Sequence, residues 1–323
     1  MIAASNKTKP PGQEGTGRFF EMEKFTEEIQ GLIDQREKAR NDGRFKEADV
    51  LRKQLSDLGF EIFDQKGKPS LCRQKKENTM PKESFLILFG SGEISPTAVK
   101  IHDYAFKDFG KDKIKIVLIS TPAGFQPNVK TVYEEIADFF TEHLKNYHPE
   151  ISIIYANTLE DANNPNILTP LETADYVFTG PGSPTYAVKN LRNSLLYKRI
   201  IEKVESGATL SLASAATVAF SRFALPVYEI YKVGSPLYWE SGLDFYTKFF
   251  KPLTIIPHFN NNEGGKKTDT SRCFAGKERF EKLKLLLPPT EKIWGIDEHT
   301  ALIINLKTKE TLVMGKGKLH SVQ

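Results

Sequence analysis

Ser214 stands in the run Gly207-Ala208-Thr209-Leu210-Ser211-Leu212-Ala213-Ser214-Ala215-Ala216-Thr217-Val218-Ala219-Phe220. An apolar stretch, residues 208–212, meets small residues and then helix formers, which predicts a strand, a tight turn at Ser214 and a helix. A serine there can lift its hydroxyl above a sheet while N–H groups at the helix start face an anion formed beside it. Small residues also occur wherever a helix packs closely on a strand, so the turn alone does not define a nucleophile. Acyl transfer by serine needs more: a base within hydrogen-bond reach, a carboxylate that orients the base, and N–H donors for the oxyanion. The chain has a candidate for each. His258 closes Ile255-Ile256-Pro257-His258-Phe259, Glu298 lies in Ile296-Asp297-Glu298-His299-Thr300-Ala301, and Gly180-Pro181-Gly182-Ser183 is a loop whose backbone can approach a substrate.

The elements that must position these residues alternate in kind. Short apolar runs at residues 85–89, 114–119, 151–155, 176–178 and 208–212 read as strands, and helical patterns at residues 97–109, 132–143 and 184–205 separate several of them. The class is α/β, a mostly parallel sheet with helices on both faces. In such sheets chemistry gathers beyond the carboxyl ends of the strands. Gly90-Ser91-Gly92-Glu93, Thr121-Pro122-Ala123-Gly124, the Gly182 loop and the Ser214 turn all occupy such ends. Further on, residues 226–234 and 253–259 read as strands, 278–287 as a helix stopped by Pro288-Pro289, and 295–304 with 311–314 as a final hairpin.

Four segments follow. Residues 1–22 have the composition of a flexible tail, residues 23–72 read as a small helical hairpin turning at Gly43, residues 73–83 form a linker, and residues 84–319 form the α/β domain. The formal net charge of +4, from 45 basic and 41 acidic residues, does not by itself demand nucleic acid or an anionic membrane. Two distant cysteines, Cys72 and Cys273, make neither a disulfide framework nor a zinc site, which fits a reducing compartment. With no signal-peptide core and no membrane-length apolar run, the expectation is a soluble cytoplasmic protein that uses no metal or cofactor. His102, His143, His148 and His320 lie in polar surroundings and are expected to be exposed, Cys273 to be structural, and Glu93 to serve as a helix N-terminal acid.

Residues 84–319 resemble the serine-peptidase family of dipeptidase E and cyanophycinase, which has a class I glutamine amidotransferase-like fold. The resemblance rests on Leu88-Phe89-Gly90-Ser91-Gly92-Glu93, Phe178-Thr179-Gly180-Pro181-Gly182-Ser183, Ala213-Ser214-Ala215-Ala216, Pro257-His258-Phe259, Arg272 with Arg279, and Gly295-Ile296-Asp297-Glu298-His299. It implies Ser214 as nucleophile, His258 as base and Glu298 as the orienting acid, with Glu229 as the alternative acid of a dipeptidase-like arrangement. Pro181 has no N–H, so Gly182 and Ala215 are the implied oxyanion donors. Ser183, Arg272 and Arg279 are the implied substrate-binding residues. The chain departs from the family at Ala216, where glycine is usual. It departs again at Ile256-Pro257, which replaces the Asp-Gln of cyanophycinases and weighs against β-aspartyl-arginine specificity.

Residues 25–72 resemble the C-terminal, tRNA-contacting end of cysteinyl-tRNA synthetase, through Leu32-Ile33, Arg36, Ala39-Arg40, Ala48-Asp49, Arg52, Leu55 and Leu58-Gly59-Phe60-Glu61-Ile62-Phe63-Asp64. No nucleotide-binding signature of the synthetase core accompanies them. The implied partners are a small peptide or amide substrate for the α/β domain and a tRNA or a protein for the hairpin, with oligomeric state open. A binding module without catalysis is the alternative to a hydrolase.

Overall fold

The computed structural model describes residues 27–58, 60–64, 71–74 and 83–323. The expected tail, residues 1–22, and linker residues 75–82 lie outside them. The chain divides into two compact units, Met1–Thr79 and Met80–Gln323.

In the first unit, helix α1 (Glu27–Asn41) turns at Gly43 into α2 (Phe45–Asp57). Strand β1 (Phe60–Phe63) then pairs antiparallel with β2 (Leu71–Gln74), placing Ile62 opposite Cys72. Ile29, Ile33, Leu55 and Ile62 bury their side chains together, the i, i+4 spacing of the first two marking the inner stripe of α1. Arg36 is buried on that helix and donates to Asp64 at 2.7 Å, so a carboxylate just past β1 neutralises it. β2 reaches into the expected linker because its backbone groups complete the ladder with β1.

The second unit is built on a seven-stranded sheet. Five parallel strands come first in the chain: β3 (Phe85–Phe89), β4 (Lys115–Ile119), β5 (Glu150–Ile154), β6 (Tyr176–Thr179) and β7 (Thr209–Ala213). A short ribbon of β8 (Phe223–Ala224) and β9 (Glu240–Ser241) follows. Next come β10 (Thr254–Ile256), β11 (Ile293–Ile296), β12 (Thr300–Asn305), β13 (Thr311–Gly315) and β14 (Leu319–Ser321). The main sheet has the order β13-β12-β3-β7-β6-β4-β5, with β12 and β13 as its antiparallel hairpin, and β10-β11-β14 form a separate small sheet. Along β3, Leu86 and Leu88 join one apolar core while Phe85, Ile87 and Phe89 join the other, the period-two signature of a strand buried on both faces.

Helices α3 (Pro96–Phe106) and α4 (Val129–His143) supply side chains to the Phe85 face. Helices α5 (Leu159–Ala162), α6 (Pro184–Leu191), α7 (Leu195–Glu205), α8 (Ala215–Ala219), α9 (Phe245–Phe249) and α10 (Lys277–Lys284) supply the Leu86 face. The central register aligns Phe89 with Ala213 and Thr179 with Leu212, so the loops leaving β3, β7 and β6 emerge side by side. Among the described residues, no helix is long and apolar enough to cross a membrane.

Three expectations are corrected, for residues 226–234, His102 and His320. Residues 226–234 do not extend as a strand. Glu229–Val233 form a wide helical turn that ends at Gly234, and Ile230 inserts into the core. His102 is fully buried, because Ala98, Ile101, His102 and Ala105 form the inner face of α3. His143 and His148 are exposed, while His320 is half-buried against Asp297 at 2.8 Å.

His102 has two polar partners inside an aromatic shell that includes Phe89 and Phe140. Its Nε2–H donates to the Glu93 carbonyl at 2.9 Å, and Nδ1 accepts from the Tyr176 hydroxyl at 2.7 Å. Burial lowers its pKa from 6.5 to about 4, the bond to Glu93 pulling the other way. The unfolded chain protonates this residue below about pH 6.5 while the native chain resists until about pH 4, so stability is lost as pH falls through that window. The loss is on the order of 3 kcal/mol. Urea-unfolding midpoints at pH 7 and pH 4.5 should show it, with a flatter dependence in His102→Gln; an equal pH dependence in both proteins contradicts the assignment.

Candidate active site

Ser214 leaves β7 with φ 49° and ψ −108°, a region L-residues rarely occupy, and α8 begins at the next residue. Such a strained strand-to-helix turn projects a side chain above the sheet edge. Its backbone N–H donates to the Phe89 carbonyl at 3.4 Å, and Thr217 Oγ1 bonds that same carbonyl and Leu212 O. Ala216, which departs from the family pattern, is fully buried and has no positive φ, so its methyl fills core space rather than forcing the turn. Ala216→Gly is expected to lower stability by about 1 kcal/mol, through lost helix preference and lost packing. A rise in the denaturation midpoint would show instead that the methyl strains the turn.

His258 follows β10 and also has a positive φ, 49°. Its N–H donates to Gly90 O at 3.0 Å, and its Nε2 lies 2.8 Å from Ser214 Oγ. Its Nδ1 lies 2.9 Å from Glu298 Oε1, which fixes the tautomer with the proton on Nδ1 and leaves Nε2 to accept. Gly90 admits the segment that carries the acid: a Cβ there would meet Asp297 O at 2.1 Å. Glu298 is held at both ends, its N–H donating to Asn260 Oδ1 at 2.8 Å and its Oε1 accepting from Asn261 Nδ2 at 2.8 Å. The His258 bond lowers the Glu298 pKa, burial opposes this, and the Asn261 bond adds to the lowering. The carboxylate therefore stays ionised beside the ring.

Sequence reasoning missed both asparagines. They directly follow His258-Phe259, and that adjacency was the available signal. It also missed a turn of three consecutive left-handed residues, Arg272, Cys273 and Phe274, with φ of 59°, 57° and 64°. The turn is pinned to the histidine loop: Arg272 N–H bonds Phe259 O and Cys273 N–H bonds His258 O. Left-handed geometry costs about 1–2 kcal/mol per residue, so these bonds hold a strained support beneath His258.

The remaining expected residues occupy separate positions. Arg272 lays its guanidinium 3.8 Å from the Phe259 ring centroid and donates to Phe259 O, and Arg279 donates to the carbonyls of Ala275 and Phe274. Ser183 caps α6, its Oγ accepting from Tyr186 N–H, and its own N–H donates to Pro122 O. Gly182, at φ 147°, lies so close to Pro122 that a Cβ would fall 2.0 Å from the carbonyl oxygen. Ala215, the first residue of α8, has no intrahelical acceptor for its N–H. Glu229 accepts from Thr185 Oγ1 at 2.6 Å, whereas the carboxylate on His258 is that of Glu298.

Cys273 is buried, which pushes its thiol pKa up to about 12, with Glu298 adding to the rise; a thiolate is disfavoured there. Burial also raises the carboxyl pKa of Glu93, against the pull of His258 and His299. This acid is therefore buried close to the site, before α3 begins. His299 is exposed, and its N–H bonds Ser91 Oγ.

A serine hydroxyl, an oriented imidazole and an ionised carboxylate in hydrogen-bonded series can move a proton off the serine. The fold places the second unit in the class of α/β proteins with a mostly parallel sheet covered by helices on both faces, an architecture shared with solved structures. A peptidase from an acI-B1 Actinobacterium aligns with a TM-score of 0.57 and 23% identity, over 74% of this chain and 90% of that one. A protein of Listeria monocytogenes EGD-e described as a candidate peptidase E aligns with a TM-score of 0.48 and 16% identity, over 73% of this chain and 100% of that one. Residues 22–68 match the cysteinyl-tRNA ligase anticodon binding domain family. No curated protein matches the sequence. Both segment resemblances read from the sequence are thus met, at the level of fold for the second unit and of a domain family for the first.

Proposed function

We propose that the second unit is a serine hydrolase, peptidase- or amidase-like, that cleaves a small peptide or amide through an acyl-enzyme on Ser214. The observation that carries this reading is the series Ser214 Oγ, His258, Glu298, with bonds of 2.8 and 2.9 Å. Ser214 Oγ attacks the scissile carbonyl carbon as its proton passes to His258 Nε2, and Glu298 stabilises the imidazolium through Nδ1–H. The tetrahedral oxyanion accepts from the N–H groups of Gly182 and Ala215. Collapse expels the amine, which takes the proton from Nε2; water activated by the same nitrogen then hydrolyses the ester. The fold neighbour described as a peptidase agrees with this class of reaction. A fluorophosphonate probe should label the wild-type protein and not Ser214→Ala, and equal labelling of both overturns the assignment.

A module without catalysis would leave the Ser214 hydroxyl with no path to His258, so the 2.8 Å bond favours the hydrolase. For the first unit, the anticodon-binding match supports tRNA as the partner of residues 25–72. Retention of tRNA that weakens steeply with salt is the expected result. No retention at low salt counts against it.

A further inference from the structure

Gly295 leaves an opening in the small sheet. It pairs with Ile256 of β10 on one side and with His320 of β14 on the other, so the strands that lead to His258 and to Glu298 share one register position with the last strand of the chain. A Cβ at Gly295 would fall 2.3 Å from the Phe259 ring, which lies back over the glycine in the space a side chain would take. Phe259 is the residue after His258. Its buried ring is contacted by the Arg272 guanidinium at 3.8 Å and by the His320 imidazole, with ring centroids 4.6 Å apart and planes inclined at 37°.

His320 has a second contact. Its Nε2–H donates to Asp297 Oδ1 at 2.8 Å, and Asp297 is the residue before Glu298. Asp297 is buried, and its Oδ2 accepts from Lys318 N–H at 3.1 Å. One imidazole thus touches the neighbour of the base through its ring and the neighbour of the acid through its nitrogen. We propose that His320 is a positioning residue, a strut between Phe259 and Asp297 that keeps His258 Nδ1 within bonding distance of Glu298. The bond it maintains is 2.9 Å long, and its donor and acceptor arrive from separate strands, so its length depends on how the ends of β10 and β11 are spaced. Phe259 keeps Arg272 and the space over Gly295 when the imidazole is replaced, whereas no other hydrogen bond to Asp297 Oδ1 is made among the described residues. Removing that donor strands a buried carboxylate oxygen, and the turn carrying Glu298 must move to recover a partner. A misplacement of about 1 Å can cost on the order of 100-fold in rate. That the spacing governs turnover rests on the hydrolase reading; that it governs the His258–Glu298 bond does not.

The test uses two variants of the full-length protein that each keep one contact. His320→Phe keeps a ring against Phe259 and loses the bond to Asp297, and His320→Gln can keep that bond through its amide. With isotopically labelled histidine, the ring-nitrogen chemical shifts of His258, assigned by their absence from His258→Ala, report which nitrogen holds the proton at alkaline pH, where the imidazole is neutral. Wild type and His320→Gln should hold it on Nδ1, and His320→Phe should move a substantial share to Nε2. The second-order rate of fluorophosphonate labelling should follow, falling about tenfold or more in His320→Phe and staying within about threefold of wild type in His320→Gln. His320→Ala removes the bond without adding bulk and should behave as His320→Phe does. A residue that only fills space gives the opposite order, with phenylalanine the better replacement. A wild-type tautomer or labelling rate in both His320→Phe and His320→Ala, or a loss as large in His320→Gln, overturns the proposal. Failure of Ser214 to label at all leaves the tautomer result standing, and a failed tautomer result leaves the labelling test of Ser214 intact.

Discussion

His258→Ala is expected to lower kcat/KM by about 10⁴ to 10⁶-fold on any substrate processed through Ser214, judged by the size of such losses in other serine hydrolases. The Ser214 hydroxyl has one nitrogen at 2.8 Å, His258 Nε2, and without it the proton has no acceptor as the carbonyl is attacked. Turnover and the second-order rate of fluorophosphonate labelling should fall together, since both require an activated serine. His258 is partly exposed and makes no core contribution of its own, so thermal unfolding should move far less than activity. Labelling at the wild-type rate would show that His258 is not the base.

Glu298→Gln should be the second most damaging change, lowering kcat by about 10⁴-fold. The glutamine amide can retain the bonds to His258 and Asn261 only by presenting its oxygen to both, and it then holds the ring without the negative charge that stabilises the imidazolium. Presenting the amide nitrogen instead pairs two donors and drives His258 toward the wrong tautomer. A linked signature follows from the lowered pKa of Glu298. Its ionised form contributes stability above the ordinary carboxylate range, and that contribution is lost as pH falls through the lowered value. The acid limb of unfolding should therefore flatten in Glu298→Gln. A variant that keeps wild-type kcat would remove Glu298 from the mechanism.

The sequence made some parts of this arrangement legible and hid others for physical reasons. Strands buried on both faces are short continuous apolar runs, so β3, β4 and β7 stood out, and residues just past such runs became candidates for chemistry. Ser214 and His258 became candidates in this way, while Glu298 was chosen over Glu229 for the motif around it that the resembled family shares. Residues 226–234 misled because Val227, Tyr228, Ile230 and Tyr231 all favour strands, while the tertiary contacts of Ile230 and Glu229 reward a helical turn. His102 looked exposed because its neighbours in sequence are polar; only the helical period of α3 turns it inward. The left-handed turn at residues 272–274 carries no glycine, so no residue type announced it. Arg272 and Arg279 looked like carboxylate binders, and the structure shows their guanidinium groups on backbone carbonyls of their own neighbourhood, a use that composition cannot reveal. Glu229, the alternative acid to Glu298, accepts instead from Thr185 Oγ1, and its place on a helical turn rather than a strand was hidden for the same reason as the turn itself.

The last turn of β3 has a consequence for how the site tolerates disturbance. Phe89 O holds the backbone of Ser214, and the next carbonyl, Gly90 O, holds the backbone of His258. The backbones of Ser214 and His258 thus hang from adjacent carbonyls at the end of one strand, the neighbour of the central β7 in the sheet. Any drift of that strand carries both carbonyls together and leaves the gap between hydroxyl and imidazole unchanged. Variation at residues 262–268, beyond the Asn260 and Asn261 clamp on Glu298, leaves those two anchors in place.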